Sequence, residues 1–291
     1  MSKHRPRAAV IGAGVAGLAA ASRLAAKGYA VTLCEANGYA GGKLTAFSQA
    51  GYRFDAGPSL FTQPENLERL FADCGRKLEG YFQYQRLEES TRYFFADGAR
   101  LTAWAEPARF AAAVEAALGE PAARVRAHLA KARTIYRITA PVFLERSLHR
   151  AATYLRPATW LDILRLPQID ALRSMHTANA ARFSDPRAVQ LFDRYATYNG
   201  SDPFRAPATL NVIPHLEFNQ GTFFPHGGMH AITRALEGLA RDMGVDIRLR
   251  TRVEKIQVEG DRVAGVRTAA GEEIPAHVVV SNADVRTTYR Q

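Results

Sequence analysis

The chain has 291 residues, 47% of them hydrophobic and 23% charged; this excludes a disordered or collagen-like chain and allows one large domain or two ordinary ones. No run approaches the ~18–20 consecutive apolar residues of a membrane-spanning helix, and the two cysteines, Cys34 and Cys74, have neither disulfide-scaffold nor zinc spacing, which fits a reducing compartment. The formal net charge is +10, and positions 121–187 hold twelve Arg or Lys against four acids, so most of the charge sits in one middle segment that suggests an anionic surface as partner.

The basic start and the apolar stretch 8–21 have the outline of a secretory signal, but another reading describes them better. Arg7-Ala8-Ala9-Val10-Ile11 reads as a short buried strand and Gly12-Ala13-Gly14-Val15-Ala16-Gly17 as a turn. Residues 18–27 read as a helix closed by Gly28, and 29–34 as a second strand ending at Glu35. In a dinucleotide site each part has a task. Gly12 permits the tight turn, Gly14 lets backbone approach a pyrophosphate, and Gly17 lets the helix pack close to the sheet. The helix N-terminus offers N–H groups to phosphate, and Glu35 can accept from ribose hydroxyls. That acid makes NADP the poorest choice and leaves FAD and NAD open.

Further on, Gly41-Gly42-Lys43 offers a second backbone contact and a positive charge, and Asp55-Ala56-Gly57-Pro58-Ser59 follows. Residues 91–95 and 99–104 flank an Asp97-Gly98 turn and read as a hairpin, and Pro107 opens a helix running to about Leu118. In the basic stretch, Phe143, Leu144, Leu148, Tyr154, Leu155, Trp160, Leu161, Ile163, Leu164 and Leu166 form an apolar face with Arg146, Arg150, Arg156 and Arg165 interspersed. Such a face lies on an anionic bilayer or covers a core with arginine stems. Ile232, Leu236, Leu239 and Met243 mark a helix over 229–243, capped by Gly244. Strands follow at 245–249, 252–258, 262–267 and 276–280, so the chain returns to an α/β pattern. His215, His226 and His230 have no metal spacing, and Asp202 before Pro203 reads as a turn or cap. The sequence holds no RNA motif and no zinc spacing, so nucleic acid is not an expected partner.

The glycine turn, Glu35, Gly41-Gly42-Lys43 and Asp55-Ala56-Gly57 together resemble the flavin amine oxidase superfamily. Tyr195-Ala196-Thr197-Tyr198-Asn199-Gly200-Ser201-Asp202-Pro203-Phe204, Gly221-Thr222-Phe223-Phe224-Pro225-His226-Gly227-Gly228-Met229 and Val278-Val279-Val280-Ser281-Asn282-Ala283-Asp284 narrow this to carotenoid desaturases of the bacterial phytoene desaturase type. The segment 206–217 looks most like the hydroxycarotenoid 3,4-desaturase branch.

This resemblance implies an α/β, Rossmann-like FAD-binding fold with an inserted α+β region facing substrate and membrane. The expected division is 1–90 for the first FAD-binding part, 91–220 for the inserted region and 221–291 for the return. The implied FAD contacts are Gly12, Ala13, Gly14, Val15, Ala16, Gly17, Glu35, Ala36, Gly41, Gly42, Lys43, Gly57, Pro58, Ser59, Val253 (near adenine) and Asn282. The implied reaction removes two hydrogens from adjacent carbons of a polyene, as a 3,4-desaturation of a hydroxycarotenoid or a phytoene/neurosporene-type desaturation, with hydride transfer to flavin; it requires no metal and names no catalytic acid or base.

A hydroxylated carotenoid would need a polar group at the end of an apolar tunnel, for which Asn199, Asn211 and His215 are candidates. The resemblance also tips the basic face towards peripheral membrane contact on the cytoplasmic side and leaves homo-oligomerisation open. The family's Gly-rich C-terminal motif is not found, so the chain reads as an N-terminal portion. The rival expectations are a flavin-dependent carotenoid isomerase and a non-catalytic FAD-binding fragment.

Overall fold

The computed structural model describes residues 5–141, 150 and 165–290. In chain order these begin with strand β1 (Arg7–Ile11), helix α1 (Val15–Ala26), strand β2 (Ala30–Cys34), the hairpin β3 (Thr45–Gln49) and β4 (Tyr52–Ala56), helix α2 (Glu65–Asp73) and strand β5 (Tyr84–Arg86). A second hairpin, β6 (Glu89–Phe94) and β7 (Arg100–Trp104), is followed by helices α3 (Pro107–Leu118), α4 (Ala122–Thr139), α5 (Met175–Ala180) and α6 (Pro186–Asp193). The last stretch holds β8 (Phe223–Pro225), α7 (His230–Asp242), β9 (Asp246–Arg248), β10 (Val253–Glu259), β11 (Arg262–Thr268), β12 (Glu273–Pro275), β13 (Val278–Ser281) and α8 (Val285–Arg290). The chain divides into two compact units, 1–85 with 223–291, and 86–222.

In the first unit a four-stranded parallel sheet runs in the order β13-β1-β2-β9. Residues 8–11 pair with 278–281 on one side, while β1 pairs with β2 on the other. A parallel strand covered on both faces needs apolar residues at successive positions, and Ala8, Ala9 and Val10 supply them. Ala8 and Val10 pack with Leu18 and Leu33 in the larger core. Ala9 packs on the opposite side with Cys34 of β2 and with Val266, Ile274 and Ala276, from the antiparallel sheet β10-β11-β12 and the chain after it.

Helix α1 begins at Val15, three residues before the position the sequence suggested. Gly14 stands outside it in extended backbone, so the helix starts as soon as the turn ends. Gly17 therefore lies in its first turn, where a Cβ would overlap the Gly12 carbonyl oxygen. The third glycine serves turn-to-helix contact rather than the expected helix-to-sheet contact. The β3–β4 hairpin, α2, β5, α4, α5, α6, β8, β12 and α8 had no counterpart in the sequence reading.

In the second unit, α3 keeps its expected bounds because Glu106 caps it, accepting from the N–H groups of Ala108 and Arg109. Phe110 stacks on Phe218 at 4.1 Å and Phe183 on Phe192 at 4.8 Å. Buried Glu120 accepts from the N–H groups of Ser184 and Asp185, at 2.7 and 2.9 Å. Part of the basic segment is paired within the unit: Arg124 with Glu120, Arg173 with Asp170, and Arg187 with Asp185 and Asp97. Of the expected amphipathic face, Phe143, Leu144, Arg146, Leu148, Tyr154, Leu155, Arg156, Trp160, Leu161, Ile163 and Leu164, with the side chain of Leu166, lie outside the described residues. Arg150 and Arg165 are exposed. Among the described residues no helix is long and apolar enough to cross a membrane.

His128 is buried against Phe192 and Phe183. Burial, helped by the charge of Arg182, lowers its pKa to about 3, and burial with Arg133 lowers that of His215 to about 4. Below the ordinary imidazole value of ~6.5 the unfolded chain takes up protons that the folded chain refuses. Stability is therefore complete above that value and is lost as pH falls towards the folded values. Thermal melts between pH 7 and pH 5 should show a falling Tm. His128→Leu should flatten that fall by up to one proton, or ~1.4 kcal/mol per pH unit. An unchanged pH slope in the variant would contradict the assignment.

Candidate functional site

The site begins where β1 ends. Gly12 has φ +92°, a backbone value that favours glycine, and turns the chain back across the sheet edge. Helix α1 then starts with no side-chain cap and no acid in its first turn, so its first N–H groups and positive dipole end are left to a ligand. Glu35, at the end of β2 and 5% exposed, holds this turn. One carboxylate oxygen accepts from the N–H of Ala13 at 2.7 Å. The other accepts from the backbone N–H and the side-chain amide of Asn37, at 2.8 and 2.9 Å. A carboxylate has about four lone-pair sites, and three are taken. Glu35 thus keeps one acceptor site for a hydroxyl while its main bonds organise the turn.

Two distant segments close on the same turn. Gly41 donates its N–H to the Ala13 carbonyl at 2.8 Å, so that group is spent on the fold rather than offered to a ligand. Gly42 lies against Gly14, where its Cβ would come 3.4 Å from the Gly14 Cα. Asn282 donates its N–H to the Ile11 carbonyl at 2.8 Å. Its side-chain amide stands 2.8 Å from where a Gly14 Cβ would be. A side chain at Gly14 would first meet the Asn282 amide, which can swing aside, so the bare backbone there is left for a ligand.

The outcome is a cleft of about 760 Å³ that brings together Gly12, Gly14, Val15, Ala16, Glu35, Gly41, Gly42, Lys43, Pro58 and Asn282. A narrower pocket of about 250 Å³ adjoins it, sharing Gly12 and Glu35 and adding Ala36 and Val253. Cys34 also borders that pocket, with its thiol pushed up to about 11 by burial; it is a wall, not a nucleophile.

Four expected residues line neither space. Ala13 is fully buried and acts through its bond to Glu35, and Gly17 packs on Gly12. Gly57 allows the end of β4 to pass the Lys43 carbonyl, which a Cβ would overlap, and Ser59 is exposed. The wall also includes Leu60, Phe61, Met229 and Ile232, which sequence reasoning missed. No local pattern marks them, because loops and a helix end bring them there.

A second carboxylate fastens the return segment. Asp55 accepts from the N–H of Met229 at 2.9 Å and of His230 at 3.1 Å, and from Arg53 at 2.6 Å. It caps the start of α7. At Gly228 (φ +87°) a Cβ would lie 2.6 Å from the Asp55 carboxylate, so the Gly227-Gly228 pair gives the carboxylate access to the helix. Burial opposes the charge on Asp55, but Arg53 and the two N–H groups outweigh it and hold its pKa below the usual range.

Other candidates are not drawn into this cleft. His226 lies before α7 and His230 is its first residue, and no cluster that could hold a metal occurs among the described residues. Asn199 is exposed. Asn211 and His215 are buried in the second unit, where Asn211 donates to Asn179 at 2.9 Å. Asp202 forms a turn, accepting from the Phe204 N–H at 2.9 Å. The tyrosines of the 195–204 segment serve a buried carboxylate: Glu217 accepts from Tyr195 at 2.8 Å and also from Tyr198. Burial pushes Glu217 up, with Arg194 and Tyr195 pulling against it.

Residues 15–290 match the family model for flavin containing amine oxidoreductases. The chain is 42% identical, over 98% of its length, to 1-hydroxycarotenoid 3,4-desaturase of a Flavobacterium species, and covers 58% of that relative. It is 33% identical to 4,4'-diapolycopene oxygenase of a Methylomonas species and 34% identical to zeta-carotene-forming phytoene desaturase of Myxococcus xanthus, over 98% of its own length and 57% and 54% of theirs. The chain thus spans a little over half the length of these curated relatives. A solved putrescine oxidase variant shares the fold at a TM-score of 0.63 and 16% identity, matching 95% of this chain and 57% of that one.

Asp55→Ala should lower the Tm at pH 7, by the ~1–2 kcal/mol of a lost helix cap. The wild-type advantage should shrink as acid protonates the carboxylate, because a depressed pKa contributes stability only above it. An equal Tm in the two proteins at pH 7 would show that the cap carries no weight.

Proposed function

The chain belongs to the flavin containing amine oxidoreductase family, and from that premise we propose that it is the FAD-binding part, with part of the substrate-bearing region, of a carotenoid desaturase acting on a hydroxylated polyene. The observation that carries the reading is the 42% identity to a 1-hydroxycarotenoid 3,4-desaturase over nearly the whole chain.

The cleft fits the cofactor. The uncapped start of α1, bare Gly14 and exposed Lys43 suit a pyrophosphate. The remaining acceptor site of Glu35 suits a ribose hydroxyl, and the pocket beside Val253 suits a flat base. When bound, FAD supplies a two-electron acceptor for hydrogen leaving adjacent carbons of the polyene. The residues themselves bind and orient. The amides of α1 and Lys43 offset phosphate charge, Glu35 fixes the turn, and Asn282 holds the β13 end over Gly14.

We place the protein at the cytoplasmic face of a membrane. A carotenoid resides in lipid, and the 121–187 segment carries a net +8 beside the apolar positions of 143–166, a combination suited to anionic lipid.

Visible absorption of the purified chain, before and after added FAD, tests the cofactor site. Wild type should retain flavin bands and Gly14→Val should lose them, whereas Gly80→Ala, where a Cβ meets nothing within 4 Å, should keep them. Flavin retained by Gly14→Val would refute the site. Product mass then identifies the reaction: loss of two hydrogens supports desaturation, while unchanged mass means isomerisation and added oxygen means oxygenation.

The membrane reading has its own check. Reversing Arg146, Arg150 and Arg156 to Glu should weaken co-sedimentation with phosphatidylglycerol vesicles by tenfold or more, at ~1 kcal/mol per basic residue. Unchanged binding would remove the basic face from the account.

A further inference from the structure

The second unit holds a cleft of its own, of about 660 Å³. Ala180, Phe183, Val189 and Phe204 give it largely apolar walls, Gln190, Arg194 and Thr197 add polar groups at its border, and His176, 35% exposed, stands among them. The imidazole is set by a chain of hydrogen bonds that runs into the core. Its Nδ1 meets Asp193 at 2.7 Å, Asp193 accepts from Asn179 at 2.8 Å, and Asn179 accepts from Asn211 at 2.9 Å. Asn179 is fully buried and Asp193 nearly so. The ring also packs on Phe204 with centroids 4.2 Å apart.

This arrangement has a chemical consequence. A carboxylate on Nδ1 holds the proton there, so the neutral ring presents Nε2 as an acceptor. Nε2 has no partner among the described residues. A fixed acceptor in a largely apolar cleft, with the ring's orientation maintained from the buried side, suits an apolar molecule that ends in a hydroxyl. A hydrocarbon would leave the acceptor unpaired, and an ether has no proton to donate.

We propose that His176 is a specificity-determining residue that receives the hydroxyl of a polyene alcohol in this cleft, with Asp193 as its positioning residue. The proposal rests on the polyene reading above, and it assigns to His176 the role that the sequence had suggested for Asn199, Asn211 or His215.

All-trans-retinol and its methyl ether serve as probes, a polyene pair that differs in the hydroxyl proton. Titration at pH 8, followed by ligand fluorescence, should show the alcohol binding roughly five- to tenfold tighter than the ether, the net worth of one hydrogen bond. His176→Phe keeps the ring packing and removes the acceptor, so the two ligands should bind alike. His176→Gln keeps an acceptor and should retain part of the preference. Ala180→Trp fills the cleft and should weaken both ligands together.

Absence of retinol binding, equal binding of the pair by wild type, a full preference in His176→Phe, or indifference to Ala180→Trp would each overturn the proposal. Flavin content is read separately from visible absorption. Equal binding of the pair by a yellow wild type counts against His176 alone, whereas a colourless wild type counts against the cofactor reading.

Discussion

The cleft depends on the bond between the buried Glu35 carboxylate and the Ala13 N–H. A carboxylate taken out of water is costly unless its oxygens are matched, and here three N–H donors match it. In return the charge pins the glycine turn at the end of β1 to the end of β2. Everything that lines the cleft is placed against that turn: the start of α1, the loop of Gly41 and Gly42, and Asn282 at the end of β13. The same acid then has one site left for a ligand, so fold and recognition draw on one group.

Asp55 repeats the pattern at longer range. It lies in β4, the second strand of the N-terminal hairpin, and caps a helix that begins more than 170 residues later. The cap fixes where Met229 and Ile232 enter the wall of the cleft. The glycines around these acids are needed because backbone approaches backbone or carboxylate too closely for a Cβ, as Gly17, Gly57 and Gly228 each show.

The second unit manages its buried charge in the same manner but with a different result. Glu120, Asp193 and Glu217 each find donors from distant segments, and these bonds give an otherwise apolar core a fixed arrangement. His128 is the exception. Its Nε2 has no partner among the described residues, and burial keeps the ring neutral among phenylalanines. Acid sensitivity follows from the burial of His128 and His215 as directly as the proposed specificity follows from the satisfied chain behind His176.

Local signals were enough for the strand, turn, helix and strand of 7–34, the hairpin after Glu89, α3 and α7. Periodicity, glycine and capping residues act over a few positions, and those positions are adjacent in the chain. The family resemblance rested on the glycine turn, Glu35, Gly41-Gly42-Lys43, Asp55-Ala56-Gly57 and the segments 195–204, 206–217, 221–229 and 278–284, and residues 15–290 carry the match. What distance in sequence separates was not legible. Nothing near Asp55 announces that it caps α7, nothing near Gly41 announces that its N–H is spent on Ala13, and Leu60 and Phe61 carry no mark of a ligand wall. His176 was not singled out at all, because an isolated histidine acquires meaning only when Asp193 and Asn179 set its proton. The sequence by itself determined the elements around the glycine turn, the hairpin after Glu89, α3, α7 and the strands that follow it, and the chemistry available at each turn. The tertiary structure decided which donors those acids would meet, since hydrogen bonding and close packing depend on atoms brought within ~3–4 Å from positions that the chain order keeps far apart.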